Sequence, residues 1–246
     1  MNFTFGIITG GGADNRILKI INSIKEQKIQ NYEIIIVGNS EINGDFIKNI
    51  PFDETIKPKW ITKKKNIITK NSNYENIVFL HDYIKLDKNW YNGFLKFGNN
   101  FSICMTKMKT PSGKRYRDWT IDAMANISHI TNKRYNRLLP YRDLGLTNIM
   151  YISGAYWVAK KEIMEKYPLD ERLSWGESED IEWSHRVRKN IQFFINPDSI
   201  VWLLTEKNPS FLEMDKDLVN KFINLTDNEL QIIIDHGDKY YKENHE

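Results

Sequence analysis

The chain has 246 residues, of which 41% are hydrophobic and 13% aromatic, with a formal net charge of +3. Such a composition builds a packed globule of one large domain or two small ones, and it excludes a disordered chain or a basic field over the whole molecule. The single cysteine, Cys104, excludes a disulfide framework and a Cys-based zinc cluster, and no apolar run reaches the roughly 20 residues that span a bilayer. The N-terminus has no signal-peptide pattern, so a cytoplasmic protein is expected.

Phe3 to Thr9 reads as a buried strand ended by Gly10-Gly11-Gly12. Asp14 is positioned to cap a helix whose Ile17, Ile20, Ile21 and Ile24 share one face. Glu33 to Val37 is a second buried strand, closed by Gly38-Asn39-Ser40. Strand, helix, strand in this order predicts a βαβ unit in a parallel sheet. The basic run Lys63-Lys64-Lys65 precedes a helical stretch at Ile67 to Asn71. Ile77 to Leu80 is a third strand, with His81-Asp82-Tyr83 at its end, and Asp87 is expected to cap a helix through Trp90, Phe94 and Phe97. Phe101 to Thr106 is a further strand.

Lys107 to Asn148 is basic and aromatic with weak periodicity, including Arg115, Tyr116, Arg117, Trp119, Arg134, Tyr135, Arg137, Tyr141 and Arg142. A loop of that length inside a domain reads as an acceptor loop or a lid. Ile149 to Val158 returns to strand character, and a short helix runs to Lys166. Ile191–Ile195 and Ser199–Leu204 read as short strands around Asn196-Pro197, and Asp215 to His245 as a helical tail. One α/β domain over residues 1–204 with a C-terminal helical appendage over 205–246 is the economical organisation.

Chemistry is most concentrated at Ser174 to Arg188, S-W-G-E-S-E-D-I-E-W-S-H-R-V-R. Trp175 offers an apolar face, Gly176 a close backbone approach, and Glu179-Asp180 stand where a loop becomes a helix. The same acids also suit a helix start, with Ser178 or Ser174 as cap. In open α/β sheets, ligands bind beyond the carboxyl ends of the strands, here Thr9-Gly10-Gly11, Gly38-Asn39-Ser40 and His81-Asp82-Tyr83. A dinucleotide fingerprint fails there: Asn15 replaces the third glycine, and no acid closes the second strand. The lysine run serves either as cations for phosphate or as a solvated basic face.

In joint order these segments resemble the GT-A-fold glycosyltransferases of the family-two-like group over most of residues 3 to 204. I-T-K-K-K-N resembles the segment where that family often shows Ala-Arg-Asn, and I-V-F-L-H-D-Y-I occupies the place of its Asp-x-Asp strand end. Y-I-S-G-A-Y-W-V resembles its donor-sugar segment, and S-W-G-E-S-E-D its galactosyltransferase-like Trp-Gly…Glu-Asp segment. The resemblance implies a Rossmann-like, mostly parallel sheet flanked by helices, and a nucleotide-sugar donor, UDP-linked by the family's habit. It implies that Thr9, Gly10 and Asn39 line the nucleoside site, that Lys65 and Asn66 lie near the nucleobase or diphosphate, and that His81, Asp82 and Tyr83 face ribose and diphosphate. Gly154, Trp175, Gly176 and Glu177 would shape the sugar and acceptor sites. Asp180 would be the base of an inverting transfer to a glycan or lipid-linked hydroxyl, with Glu179 holding a sugar hydroxyl.

The family's Mn2+ or Mg2+ would fall to Asp82. Because the register reads His81-Asp82-Tyr83, that metal is in question, and Lys or Arg is the alternative for neutralising the diphosphate. A nucleotide-sugar or glycan-binding module without catalysis is the rival reading. No nucleic-acid partner is expected, and peripheral membrane contact and oligomeric state stay open.

Overall fold

The computed structural model describes residues 1–121, 137–139, 141, 149–208, 212–213 and 216–245. β1 (Phe3–Ile8), β2 (Tyr32–Val37) and β4 (Asn76–His81) are joined by α1 (Asp14–Lys25), the short β3 (Ile47–Ile50) and α2 (Ile61–Asn71). Then come β5 (Ile84–Leu86), α3 (Trp90–Phe97), β6 (Ile103–Lys109) and three two-residue strands, β7 (Thr120–Ile121), β8 (Arg137–Leu138) and β9 (Met150–Tyr151). β10 (Tyr156–Lys160), α4 (Lys161–Lys166), α5 (Glu179–Arg188), β11 (Phe193–Leu203), β12 (Leu212–Glu213), α6 (Lys216–Ile223) and α7 (Asp227–His245) complete it.

The main sheet has eight strands in the order β3-β2-β1-β4-β10-β6-β11-β5. It is parallel from β3 to β4 and between β6 and β11, while β10 runs against both its neighbours. Both faces are covered, so the strands are apolar almost throughout. Alternation sorts them: Phe3, Phe5, Ile7, Ile34, Ile36, Val78 and Leu80 pack with α1 and α3, whereas Ile35, Val37, Ile77 and Phe79 pack with α2, α4 and α5. Leu218 of α6 and Ile233 of α7 bury in that second cluster. Among the described residues no helix is long and apolar enough to cross a membrane.

Several local expectations change. The basic run lies inside α2, which starts at Ile61. Asp14 opens α1 rather than capping it; Ala13 holds the cap position without a side-chain bond, and the Asp14 carboxylate accepts from the Glu41 N–H at 3.2 Å. Asp87 likewise braces the turn before α3, accepting from the Asn89 N–H and the Trp202 indole. The stretch 149–158 is two strands in two sheets, β9 and β10, broken at Ser153-Gly154. Conversely, Asn196-Pro197 does not break β11; it bulges, with Asn196 Nδ2 donating to Ser199 Oγ.

In the basic-aromatic region, Asp118 is buried and accepts from Arg115 Nε, the Tyr141 hydroxyl and the Met108 N–H, and Arg115 stacks 3.9 Å from the Tyr141 ring centroid. These residues build structure around one carboxylate. Arg134, Tyr135, Arg142 and the Arg137 side chain lie outside the described residues, as does much of the expected loop.

Candidate functional site

Sheet register brings the site together. Ile8 pairs with Val37 on one side and His81 on the other, so three strands end level. The turns that follow, Thr9-Gly10, Gly38-Asn39 and Asp82-Tyr83, therefore emerge at one edge. Gly38 is needed there: its φ is +138°, and a Cβ on it would sit 2.1 Å from the Thr9 carbonyl oxygen. Antiparallel β10 begins at the same edge, with Tyr156 opposite Leu80, and so delivers Gly154 beside the three turns.

Thr9, Gly10, His81, Asp82 and Tyr83 line one cavity of about 340 Å³, together with Glu54, Lys59, Lys64 and Trp175. The Thr9 hydroxyl donates to Asp82 Oδ2 at 2.8 Å and accepts from the Gly11 N–H at 3.1 Å. Asn39 lines a second hollow of about 620 Å³ with Gly12, Asp14 and Asn15. Trp175, 54% exposed, has Lys59 Nζ 4.8 Å above its ring. Its loop is sewn to the start of α2: the Trp175 N–H donates to the Lys59 carbonyl, Thr62 Oγ1 to the Leu173 carbonyl, and the Trp60 indole to the Glu171 carbonyl.

The expected roles of the α2 residues are corrected. Lys64 and Lys65 are 2% and 1% exposed, so they form neither a solvated face nor an open phosphate clamp. Lys64 donates to the Thr9 carbonyl at 2.7 Å and pairs with Glu54. Lys65 Nζ donates to the Gly154 carbonyl at 2.6 Å and lies 4.4 Å from the Trp157 ring centroid. Asn66 turns away, holding Leu169 and Glu171, and takes no part in the strand-end cavity.

Gly154 joins the lysine to the acids. Its N–H donates to Asp180 Oδ2 at 2.8 Å, and a Cβ on it would come within 3.2 Å of Glu179 Oε1. Asp180 Oδ1 accepts from the Ile181 N–H at 3.0 Å, so this carboxylate itself satisfies a free donor of the first helical turn. Neither candidate serine caps: Ser178 is left-handed with φ +60° and no side-chain bond, and Ser174 Oγ has no partner. Gly176 (φ +88°) turns the loop, and the Glu177 carboxylate folds back to accept from the Ser174 N–H at 2.6 Å. Neither lines the cavity.

Electrostatically, the pair is not simply held charged by the helix start. Burial, then the Asp180 carboxylate, pushes Glu179 up to about 7, with Lys65 opposing. Burial also raises Asp180 against the Gly154 N–H and Lys65. Lys65 is in turn lowered to about 8 by burial, which the two carboxylates oppose. Burial raises Tyr83, with Tyr116 and then Asp82 adding to the effect. Burial and then Lys65 and Lys207 hold His81 well below its usual range.

The residues at Asp82 do not suit a divalent cation. Its Oδ2 already accepts from Thr9 and lies 3.4 Å from the Arg16 guanidinium. Arg16 Nε donates to the Asp82 carbonyl at 3.2 Å, and Lys207 Nζ sits 3.5 Å from the Tyr83 ring centroid. Among the described residues no three His, Cys, Asp or Glu side chains form a metal-holding group. Sequence reasoning missed Arg16 and Lys207. Arg16 had a signal, since a cation in a helix's first turn opposes the dipole and asks for a partner; Lys207, on the irregular stretch after β11, had none.

No protein-family model matches the chain, and no curated protein matches it. Solved structures do. Residues 1–349 of S. aureus TarS match at TM-score 0.54 and 14% identity, over 100% of this chain and 73% of that one. The same fragment in complex with UDP-GlcNAc matches at 0.56 and 13%, over 98% and 73%. GalNAc-T7 with UDP, GalNAc and Mn2+ matches at 0.60 and 11%, over 94% of this chain and 49% of that one. With the curled, mostly parallel sheet, its flanking helices and its C-terminal helix, these likenesses show that the chain has the GT-A fold.

Proposed function

We propose that the chain transfers a sugar from a nucleotide-sugar donor to a hydroxyl of a glycan or lipid-linked acceptor, with inversion and with Asp180 as the base. The observation that carries this reading is the placement of Asp180: half-buried, gripped by the Gly154 N–H, and following in the chain from Trp175, which lines the strand-end cavity that contains Asp82. UDP is the first nucleotide to try, because TarS and GalNAc-T7 have been solved with it.

The acceptor oxygen attacks the anomeric carbon from the face opposite the diphosphate. Its proton passes to the Asp180 carboxylate, and the bond from the anomeric carbon to the diphosphate oxygen breaks with its electron pair leaving on the diphosphate. Burial makes Asp180 a better base than an exposed aspartate, because a carboxylate raised toward the working pH has more drive to take a proton. Buried Glu179 holds a sugar hydroxyl, its own carboxyl raised by burial and by the Asp180 charge. Trp175 supplies the flat face against which a sugar ring stacks.

Asp180→Asn keeps size and shape and removes the base. Release of UDP across a panel of UDP-sugars and acceptors falls by about 10²–10⁴-fold, with the thermal melt preserved. Near-wild-type turnover by the folded variant would remove Asp180 from this role. Donor binding by the wild type with neither turnover on any acceptor nor slow hydrolysis of the donor would favour the binding-module reading.

A further inference from the structure

Resting on the nucleotide-sugar reading, we propose that Lys59 and Trp175 bind the glycosyl phosphate of the donor: the Lys59 ammonium takes the phosphate that bears the sugar, and the Trp175 ring takes the sugar. Both residues line the strand-end cavity of about 340 Å³. Both are exposed, and the ammonium lies 4.8 Å from the ring centroid. The other charged groups of the lining are already matched, Lys64 with Glu54 and Asp82 with Arg16. Burial keeps His81 uncharged at neutral pH. The Lys59 ammonium meets an aromatic ring and pairs with no carboxylate among the described residues, so its charge is left over for a ligand.

The backbone holds lysine at this place against its preference. Lys59 has a φ of +56°, a left-handed conformation that glycine and asparagine adopt readily and lysine seldom does. Three bonds fix the turn: the Lys59 N–H donates to Glu54 Oε2 at 3.2 Å, and its carbonyl accepts from the Ile61 N–H at 2.8 Å and the Trp175 N–H at 3.1 Å. The last of these ties the lysine to the residue whose ring its side chain meets, so charge and ring are held as one unit. A strained residue kept in a cavity wall is kept for its side chain. The pair also selects the chemistry of its ligand. A ring takes the C–H face of a sugar, and an ammonium takes a phosphate. Because ring and charge adjoin, the phosphate must follow the sugar directly. A glycosyl phosphate meets that condition, whereas in a mononucleotide the ribose separates the stacking base from the phosphate.

The test is calorimetric titration of the full chain with a panel of UDP-, GDP- and dTDP-sugars, the matching nucleoside monophosphates, and the free sugar 1-phosphates. At least one nucleotide sugar is expected to bind the wild type. Lys59→Gly then weakens it about tenfold, as loss of one charge-assisted contact would, and leaves the monophosphate, which lacks the sugar-bearing phosphate, within about twofold. The same variant melts no lower than the wild type, because glycine fits the left-handed turn. Lys59→Asn, which also tolerates that turn, repeats the loss. Unchanged nucleotide-sugar affinity in both variants overturns the inference and leaves the nucleotide-sugar reading standing; a lower melting temperature with that unchanged affinity makes Lys59 a prop for the Trp175 loop. A loss confined to the sugar 1-phosphates moves the phosphate to the acceptor and overturns the donor assignment. No nucleotide sugar bound by the wild type takes down both readings.

Discussion

Lys65→Met tests how the acidic pair is held. Lys65 is buried, donates 2.6 Å to the Gly154 carbonyl and lies beside Glu179 and Asp180. Methionine keeps the length and the apolar stem and removes the charge. The Gly154 carbonyl then loses its buried donor, which costs about 1–3 kcal/mol at any pH. The carboxylates also lose their counter-charge, and breaking a buried ion pair costs about 3–5 kcal/mol, but only where a carboxylate is ionised. Glu179 is raised from 4.5 to about 7 by burial, then by Asp180, against the pull of Lys65. A group raised in the folded state contributes stability that is full below 4.5 and is lost as the pH climbs through about 7. Without Lys65 that loss deepens and extends to higher pH. Urea unfolding should therefore show a deficit of about 1–3 kcal/mol at pH 5 that grows toward about 4–8 kcal/mol as the pH rises past 7 and the carboxylates ionise. Equal deficits at the two pH values, or no deficit, would refute the argument.

Two further substitutions separate fold from site. Gly38→Ala places a methyl 2.1 Å from the Thr9 carbonyl at a φ of +138°, so it should cost at least about 2 kcal/mol in chemical unfolding; a loss below about 0.5 kcal/mol would show that the strand ends can part there. Trp175→Ala removes a ring that is 54% exposed, so stability should move by less than about 1 kcal/mol while KM for donor or acceptor rises about tenfold. Wild-type KM values in that variant would take Trp175 out of the site.

The fold was legible where burial on both faces left its mark. The runs at 3–9, 33–37 and 77–80 are apolar because helices cover each side, and the isoleucines of α1 keep helical spacing because only one face is covered. The strand-end turns also followed; the bond from the Gly154 N–H to Asp180 did not, because it joins residues 26 apart in different elements. Lysines misled, because local sequence does not say which face of α2 meets the sheet. Lys64 and Lys65 are buried only because the Thr9 and Gly154 carbonyls wait for them from strand ends 55 and 89 residues away. Capping misled for a related reason. Asp180 supplies the helix start from inside its first turn, so no serine need do so.

The Gly154 peptide is where these contacts converge. The Gly154 carbonyl accepts from Lys65, and its N–H donates to Asp180. Rotating either flanking peptide plane would break one bond or the other, and a Cβ at this position would press on both carboxylates. The Asp180 carboxylate is therefore fixed by backbone just before β10, not by the reach of a loop. β10 is in turn locked to β4 by the pairing of Tyr156 with Leu80, one residue before His81 and two before Asp82. Sheet register therefore sets the span between the Asp180 carboxylate, held by Gly154, and the strand end that carries Asp82. That is the span an in-line displacement must hold constant, since attack and departure occur on opposite faces of one carbon.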